Sequence, residues 1–302
     1  MAHEKVLILL ISEKQEFQRL QAEDARAAGR RTGLDVEVRH AEHDPANQLR
    51  QIHEAIRAPA HRRPAGVVVE PAATVGLEAA ARAAAQAGVG WVLLGDRAPT
   101  LERVRQEFPQ RLIASVGTDN DGVGRIQAAL FRALLPAGGG LLYVEGPSFS
   151  AAAMHRREAT HKALAGTRLE ILKSLSGDWT QASAERAASV WLKLWARKQR
   201  PDLVGAQNDE MAIGVRNAVL AVQPGWKDIP FVGADGLPEG GQRMVRDGLL
   251  AATVITPPPT GRAVELIAAA LRGEPVPPFT LMPPRAHPAP EVLLQRATAP
   301  RV

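Results

Sequence analysis

The sequence predicts an α/β protein made of two doubly wound parallel-sheet lobes, joined by a hinge that the chain crosses several times. Short apolar runs alternate with longer amphipathic stretches along nearly all of the 302 residues. Apolar strands that are each followed by a helix are typical of parallel sheets covered on both faces. A domain typically has about 100–200 residues, so two lobes fit this length better than one large sheet.

The elements are assigned from these runs in chain order. Strands are predicted at residues 6–11, 34–38, 66–69, 91–94, 113–116, 141–144, 169–175, 203–205, 231–233 and 252–255. Helices are predicted at residues 17–31, 45–57, 75–87, 122–135, 151–165, 183–198, 211–222, 239–246 and 261–271. The stretch after Met282 is rich in Pro and Ala, and we expect it to be irregular or extended along the surface.

Three stretches break the alternation and are the hinge candidates. They are residues 117–120, the proline run 257–259, and the region from 277 to 290. Three crossings predict one lobe of residues 1–118 plus 257–284, a second of 119–256 plus 285–302, and a cleft between the two.

Composition excludes several classes of protein. Cysteine is absent, which rules out disulfides, thiolate metal sites and cysteine nucleophiles. The net charge is +5, but the basic residues are scattered along the chain, so no nucleic-acid partner is expected. No apolar stretch approaches the roughly 20 residues of a membrane span.

The first apolar run, residues 6–11, is relevant to the cellular compartment in which the protein is expected. It is short and leads into residues 12–14 without a small-residue cleavage site, so it predicts a buried strand and no export signal. As written, the chain is expected in the cytoplasm, or in the periplasm if a leader has been removed.

Catalytic and cofactor motifs are weak. Residues 122–127 lack the third glycine of a dinucleotide fingerprint, and residues 147–150 fail the frame of a nucleophile elbow. His40 and His43 have no third metal ligand beside them in the sequence. The prediction is therefore no enzyme activity, no cofactor and no metal.

In doubly wound sheets, ligands bind at the carboxyl ends of the strands. In the first lobe these positions carry Lys14, Gln15 and Phe17 after the first strand, and Asp96 with Arg97 after the fourth. A carboxylate next to a guanidinium can bind vicinal hydroxyls, although Asp96 and Arg97 could equally form a surface ion pair or a loop cap. Phe17 could line a pocket or be a core residue of its helix.

In the second lobe the corresponding candidates are Arg156, Trp179, Asn208, Asp235 and Thr256. The indole of Trp179 could stack on the apolar face of a sugar ring or pack between elements. Asn208 could be a simple N-cap, Asp235 a turn residue and Arg156 a solvated arginine. Thr256 closes the last strand of the lobe.

Several phrases together resemble a known family. They are AQNDEMAIG at 206–214, VGADG at 232–236, DGLLAATV at 247–254, VLLGDR at 92–97 and TDNDG at 118–122. They resemble the ribose-binding-protein branch of periplasmic solute-binding proteins, whose type I fold is shared with the effector domains of lac-repressor-type regulators. The resemblance runs from about residue 6 to residue 279.

The resemblance implies a set of ligand contacts, which fall on Asp96, Arg97, Arg156, Trp179, Asn208 and Asp235. The first loop departs from the family pattern, since Phe17 is its one aromatic residue. Ala234 stands where the family usually has an aromatic, and Thr256 where it usually has a glutamine. These positions set ring size and substituents, so the identity of the sugar stays open.

The sequence thus predicts a non-catalytic protein that closes on a small polyhydroxylated ligand, with a monosaccharide favoured. An ABC permease or a sensor kinase would be its partner. Two alternatives remain. One is a cytosolic signalling module for a sugar phosphate or other anion, with Lys14, Arg97 and Arg156 as counter-charges; the other is a hydrolase that uses the same cleft.

Overall fold

The computed structural model describes residues 4–14, 16–95 and 99–298. It divides into two compact units. Unit 1 is Met1–Thr118 with Pro257–Met282, and unit 2 is Asp119–Thr256 with Pro283–Val302. The chain therefore passes between the units three times, and the last passage lies two residues before the predicted boundary at 284.

The elements are numbered in chain order through both units. The strands are β1 (Lys5–Leu10), β2 (Asp35–His40), β3 (Gly66–Val69), β4 (Gly90–Leu94), β5 (Ile113–Thr118), β6 (Gly139–Glu145), β7 (Leu169–Ser176), β8 (Leu203–Ala206), β9 (Phe231–Val232), β10 (Thr253–Ile255), β11 (Phe279–Met282) and β12 (Arg285–His287). The helices are α1 (Glu16–Thr32), α2 (Pro45–Ile56), α3 (Leu77–Gln86), α4 (Pro99–Glu107), α5 (Asn120–Leu134), α6 (Ala151–Leu164), α7 (Gln181–Trp195), α8 (Asp209–Val222), α9 (Gly241–Arg246), α10 (Thr260–Leu271) and α11 (Pro290–Thr298).

Unit 1 is a parallel sheet in the order β11-β5-β4-β3-β1-β2, with helices on both faces. Alternate residues of β1 show why the strand is apolar throughout. Leu7 and Leu9 belong to one buried cluster together with side chains of α2, α3 and α4. Val6, Ile8 and Leu10 belong to a second cluster with side chains of α1 and α10. Both faces of the strand are therefore buried, as the apolar pattern predicts.

Unit 2 is also a parallel sheet with helices on both faces, and its strand order is β7-β6-β8-β9. Parallel bridges from Val232 to Ala252 and from Asp235 to Ile255 bring β10 beside β9. Leu142 and Val144 pack with α7 and α8, whereas Leu141 and Tyr143 pack with α5 and α6 on the other face. The predicted α/β class with parallel sheets is confirmed.

The expectation of an irregular or extended stretch after Met282 is wrong. Residues Arg285–His287 pair antiparallel with β10, and Pro290–Thr298 form a helix. Proline is compatible with the first helical turn, where its missing N–H leaves no hydrogen bond broken. Leu293 is 3% exposed and joins a core cluster of unit 2, which anchors the helix. Helix α4 and strand β11 were also not predicted from the sequence.

The close packing of α7 on α8 gives a test of this fold. A Cβ at Gly214 would overlap the backbone carbonyl of Gln181, an atom that cannot move aside like a side chain. We expect Gly214→Ala to lower the free energy of unfolding by about 1–3 kcal/mol or more, measured by urea denaturation. Gly225→Ala is the matched control, because a Cβ there meets open space. Equal losses in the two variants would contradict the packing described.

Candidate functional site

The five candidates of unit 2 all lie beyond the carboxyl ends of its strands. Arg156 is on α6, which follows β6, and Trp179 follows β7. Asn208 follows β8, and the last two candidates, Asp235 and Thr256, follow β9 and β10. Since the carboxyl ends of parallel strands share one edge of a sheet, the topology gathers these residues at the edge where doubly wound sheets bind ligands.

Arg156 is the centre of this cluster. Its side chain is 9% exposed. Nε donates to Oδ1 of Asn120 at 2.9 Å, and Nη1 donates to the carbonyl oxygen of Gln207 at 2.5 Å. Nη1 also reaches Oδ1 of Asp235 at 3.4 Å, whereas Nη2 has no protein hydrogen bond within the described residues. The guanidinium is therefore fixed in orientation and keeps one donor group for another molecule.

Trp179 lies against Arg156. The guanidinium carbon is 5.6 Å from the centroid of the indole ring, within the range of a cation–π contact. A Cβ on Gly146 would overlap the ring, so the indole packs directly on the backbone of that glycine. Trp179 is half-buried and has a φ of 71°. Stacking on a sugar ring and packing between elements are both compatible with this position, because the indole packs on unit 2 and still has exposed surface.

Asp235 also has a left-handed backbone, with a φ of 94°, and its side chain is 36% exposed. Burial raises the pKa of its carboxyl group, and the positive charge of Arg156 acts in the opposite direction. The backbone N–H of Thr256 donates to the carbonyl oxygen of Asp235 at 3.1 Å, and its hydroxyl donates to the same oxygen at 3.3 Å. Thr256 thus supports the backbone on which the carboxylate is presented.

Asn208 is the N-cap that the sequence suggested. Its Oδ1 accepts from the backbone N–H of Met211 at 2.9 Å. Its Nδ2 donates to the carbonyl oxygen of Trp179 at 2.9 Å. Asn208 therefore ties the loop that carries the indole to the start of α8, and one side chain serves both the helix and the cluster.

Asp209 is a buried acid that sequence reasoning did not select. It is 5% exposed and lies against two glycines of unit 2, Gly233 and Gly241, where any Cβ would overlap its carboxylate oxygens. The hydroxyl of Thr253 donates to Oδ1 at 2.6 Å, and the N–H of Gly236 donates to Oδ2 at 2.8 Å.

The environment of Asp209 favours its protonated form. Burial raises the pKa of its carboxyl group well above the ordinary value, and the negative charge of Asp235 acts in the same direction. The hydrogen bonds from Thr253 and Gly236 oppose this shift. A group so enclosed positions the loop of Asp235 but does not itself face the open edge.

Further supporting residues were also missed. Gln207 is fully buried; its Oε1 accepts from Gly146 N–H at 2.8 Å, and its Nε2 donates to the carbonyl oxygen of Ala153 at 3.0 Å. Asn120, the first residue of α5, orients Arg156. The only sequence signal for Gln207 was its place in the AQNDEMAIG phrase, and Asn120 is the last residue of the predicted hinge stretch 117–120.

The candidates of unit 1 are described only in part. Lys14 is exposed, and Phe17 is half-buried in the first turn of α1. Gln15, Asp96 and Arg97 lie outside the described residues.

A further carboxyl group, which was not predicted from the sequence, lies at the carboxyl edge of the sheet in unit 1. Glu70 directly follows β3 and accepts a hydrogen bond from Gln21 Nε2 at 3.1 Å. Burial raises the pKa of Glu70, and hydrogen bonds from Gln18 and Gln21 oppose that effect.

Within the described ranges, no group of three or more His, Asp or Glu side chains is arranged to hold a metal ion. The helices of the same ranges include none that is both long enough and apolar enough to cross a bilayer.

Comparison with known proteins shows the family. The periplasmic binding protein domain family matches residues 6–275, and the chain belongs to that family. The ribose import binding protein RbsB of Salmonella typhimurium is 29% identical over 180 residues, and the match covers 59% of each chain. RbsB of Haemophilus influenzae is 26% identical over 246 residues, covering 81% of this chain and 77% of the relative.

Solved structures share the fold. A periplasmic solute-binding protein of an ABC transporter from Actinobacillus succinogenes, solved with bound D-allose, has a TM-score of 0.78 at 20% identity, covering 94% of this chain and 96% of that one. A solute-binding protein from Bacillus halodurans with bound myo-inositol has a TM-score of 0.75 at 20% identity and covers 98% of both chains. The chain is therefore a periplasmic binding protein with the type I fold, and it is similar in sequence to ribose-binding proteins.

The buried Asp209 predicts a pH dependence of stability. A raised pKa in the folded state means that the folded protein binds the proton more tightly than the unfolded chain does. This contribution to stability is complete below the unfolded pKa and is lost as pH rises through the folded value. We expect Asp209→Asn to reduce the fall in the free energy of unfolding between about pH 4 and pH 8, measured by urea denaturation.

The control for this test is Asp228→Asn, at an exposed position of the same unit. It should keep the pH dependence of the unaltered protein. Parallel curves for Asp209→Asn and the unaltered protein would show that Asp209 is not the group responsible.

Proposed function

We propose that this chain binds a small polyhydroxylated ligand, with a monosaccharide favoured, and releases it unchanged. The observation that carries the proposal is the cluster of Arg156, Trp179 and Asp235 at the carboxyl edge of unit 2. It combines a cation with a free donor, a carboxylate acceptor and an aromatic ring within one contact network, and these are the groups that a sugar ring requires.

In the proposed complex the polar groups replace water at the ligand hydroxyls. Arg156 donates through Nη2 and Asp235 accepts, so both hydrogen bonds are charge-assisted. Trp179 stacks on the apolar C–H face of the ring. Because Arg156 is already held by three oxygen acceptors, little side-chain entropy is lost on binding.

Residues of unit 1 complete the proposed set. By resemblance to the family, Asp96 and Arg97 contact further ring hydroxyls, and Phe17 packs on the ring. Lys14 and Gln15 are the polar residues of the first loop that remain candidates.

The similar proteins support this class of ligand. They include a ribose import binding protein and solute-binding proteins solved with bound D-allose, L-arabinofuranose and myo-inositol. All of these compounds are small rings or cyclic polyols with adjacent hydroxyl groups. The proposed output is a transporter component that a permease recognises, which would place the chain in the periplasm. A sensor role is the second candidate, supported by similarity to the fructose-binding periplasmic domain of a hybrid two-component system.

The contacts in unit 2 favour a neutral ligand over a sugar phosphate. Asp235 lies beside Arg156 and offsets the positive charge that a phosphate would need. A hydrolase that used the same cleft would depend on Asp235 or Asp96, and it predicts glycoside turnover that is lost in Asp235→Asn.

The cluster predicts which substitutions weaken ligand binding. For the sugar that binds tightest in a panel of D-ribose, D-allose, L-arabinose, D-fructose and myo-inositol, Trp179→Ala and Asp235→Asn should each raise Kd tenfold or more. The physical reason is the loss of the stacking surface in one and of a charged acceptor in the other. Isothermal titration calorimetry measures the change, at about 1.4 kcal/mol per decade.

Matched controls separate binding from folding. Trp195→Ala removes a tryptophan that is 47% exposed at the end of α7, and Asp228→Asn removes an exposed carboxylate. Both should leave Kd unchanged. Full affinity in Trp179→Ala and Asp235→Asn would refute the site.

Tighter binding of ribose 5-phosphate than of ribose would favour the anionic alternative.

We propose further that the ligand contacts both units and so stabilises a closed state of the protein over an open one. Small-angle X-ray scattering should then record a smaller radius of gyration at saturating sugar than without it. The Trp179→Ala variant, at the same sugar concentration, should keep the larger value. An identical radius with and without bound sugar would contradict closure.

A further inference from the structure

The last two turns of α7 expose apolar side chains to solvent. Val190 is 60% exposed, Leu194 is 66% exposed and Trp195 is 47% exposed. Val190 and Leu194 are four residues apart and therefore lie on the same side of the helix. Trp195 ends the helix next to them. Large apolar side chains grouped at the surface mark a site of interaction with a partner or a membrane.

The same segment is strongly basic. Its exposed cations are Lys193, Arg197, Lys198 and Arg200, and no acidic residue occurs from position 186 to position 201. Within the described part of the chain, none of these four forms an ion pair with a carboxylate. The Nζ of Lys198 lies 5.3 Å from the centroid of the Trp195 ring, so the positive charge and the aromatic surface occupy one place.

We propose that this α7 patch, made of Val190, Lys193, Leu194, Trp195, Arg197, Lys198 and Arg200, binds the surface of an anionic lipid bilayer. Tryptophan is enriched at the level of lipid headgroups, where its ring is partly buried and its N–H stays hydrated. The leucine and valine add apolar area that can enter the interface. The cations attract the phosphate charge of anionic lipids, with no acidic residue of the segment to offset them.

The position of the patch is compatible with ligand binding. Trp179 precedes α7 at the carboxyl edge of the sheet, whereas the patch is at the other end of a 15-residue helix, about 20 Å along its axis. Membrane contact through the patch therefore leaves the Arg156 cluster accessible. A second copy of the chain is a poor occupant, because two such patches would bring like charges together.

The direct test is sedimentation of the full chain with vesicles. At low salt the protein should bind vesicles of phosphatidylcholine with about one third phosphatidylglycerol, and binding should fall steeply at high salt, since the attraction is screened. Vesicles of phosphatidylcholine alone should bind much less. Lys193→Gln with Lys198→Gln should weaken binding roughly tenfold or more, because each cation near a charged bilayer contributes appreciably. Leu194→Gln should also weaken it.

Control variants lie on unit 1. Leu271→Gln replaces a leucine that is 49% exposed on α10, and Arg26→Gln with Arg30→Gln removes two exposed cations of α1. These should bind vesicles like the unaltered protein, and every variant should keep its thermal midpoint and its sugar affinity. The proposal is overturned if the protein does not bind anionic vesicles, or if the α7 and control variants lose binding equally. Binding to polyglutamate but not to the vesicles would point instead to an acidic protein partner.

Discussion

The contact on which the site of unit 2 depends is the buried guanidinium of Arg156. A cation removed from water is costly unless its donors find acceptors, and here Nε and Nη1 meet Asn120, the backbone of Gln207 and Asp235. These three partners belong to separate segments that follow β5, β8 and β9. One side chain therefore fixes the relative positions of three loops, and Trp179 packs on it from a fourth. Without this cation, Asp235 would lose the charge that stabilises its carboxylate.

The surroundings of the cluster are shaped by close packing as much as by charge. Glycines at 146, 233 and 241 leave room for the indole of Trp179 and for the carboxyl group of Asp209, which no other residue type would do. Trp179 and Asp235 both adopt the left-handed backbone that side chains other than glycine rarely occupy. Such conformations persist where the surrounding structure holds them, and they concentrate at functional sites. The two residues that we assign to the ligand, Trp179 and Asp235, therefore both have a strained backbone conformation.

The fold could be predicted largely from the sequence, because strands buried on both faces read as continuous apolar runs. Strand β11 and helix α4 were missed, since prolines and charged residues mask their short patterns. Helix α11 was missed because proline at its start was interpreted as a break. The residues after each strand identified the candidates of unit 2, whose contacts the structure then describes. Asn120, Gln207 and Asp209 could not be recognised in this way, since their roles depend on contacts between distant segments.

The central claim is that Arg156 organises a sugar-binding cluster, and the calorimetric affinity of Arg156→Lys tests it most directly. Lysine keeps the positive charge but has no planar set of donors to meet Asn120, Gln207 and Asp235 together while keeping Nη2 for the ligand. The account predicts a folded variant whose Kd for the best-binding sugar of the panel is at least tenfold higher. An unchanged Kd in this folded variant would contradict it.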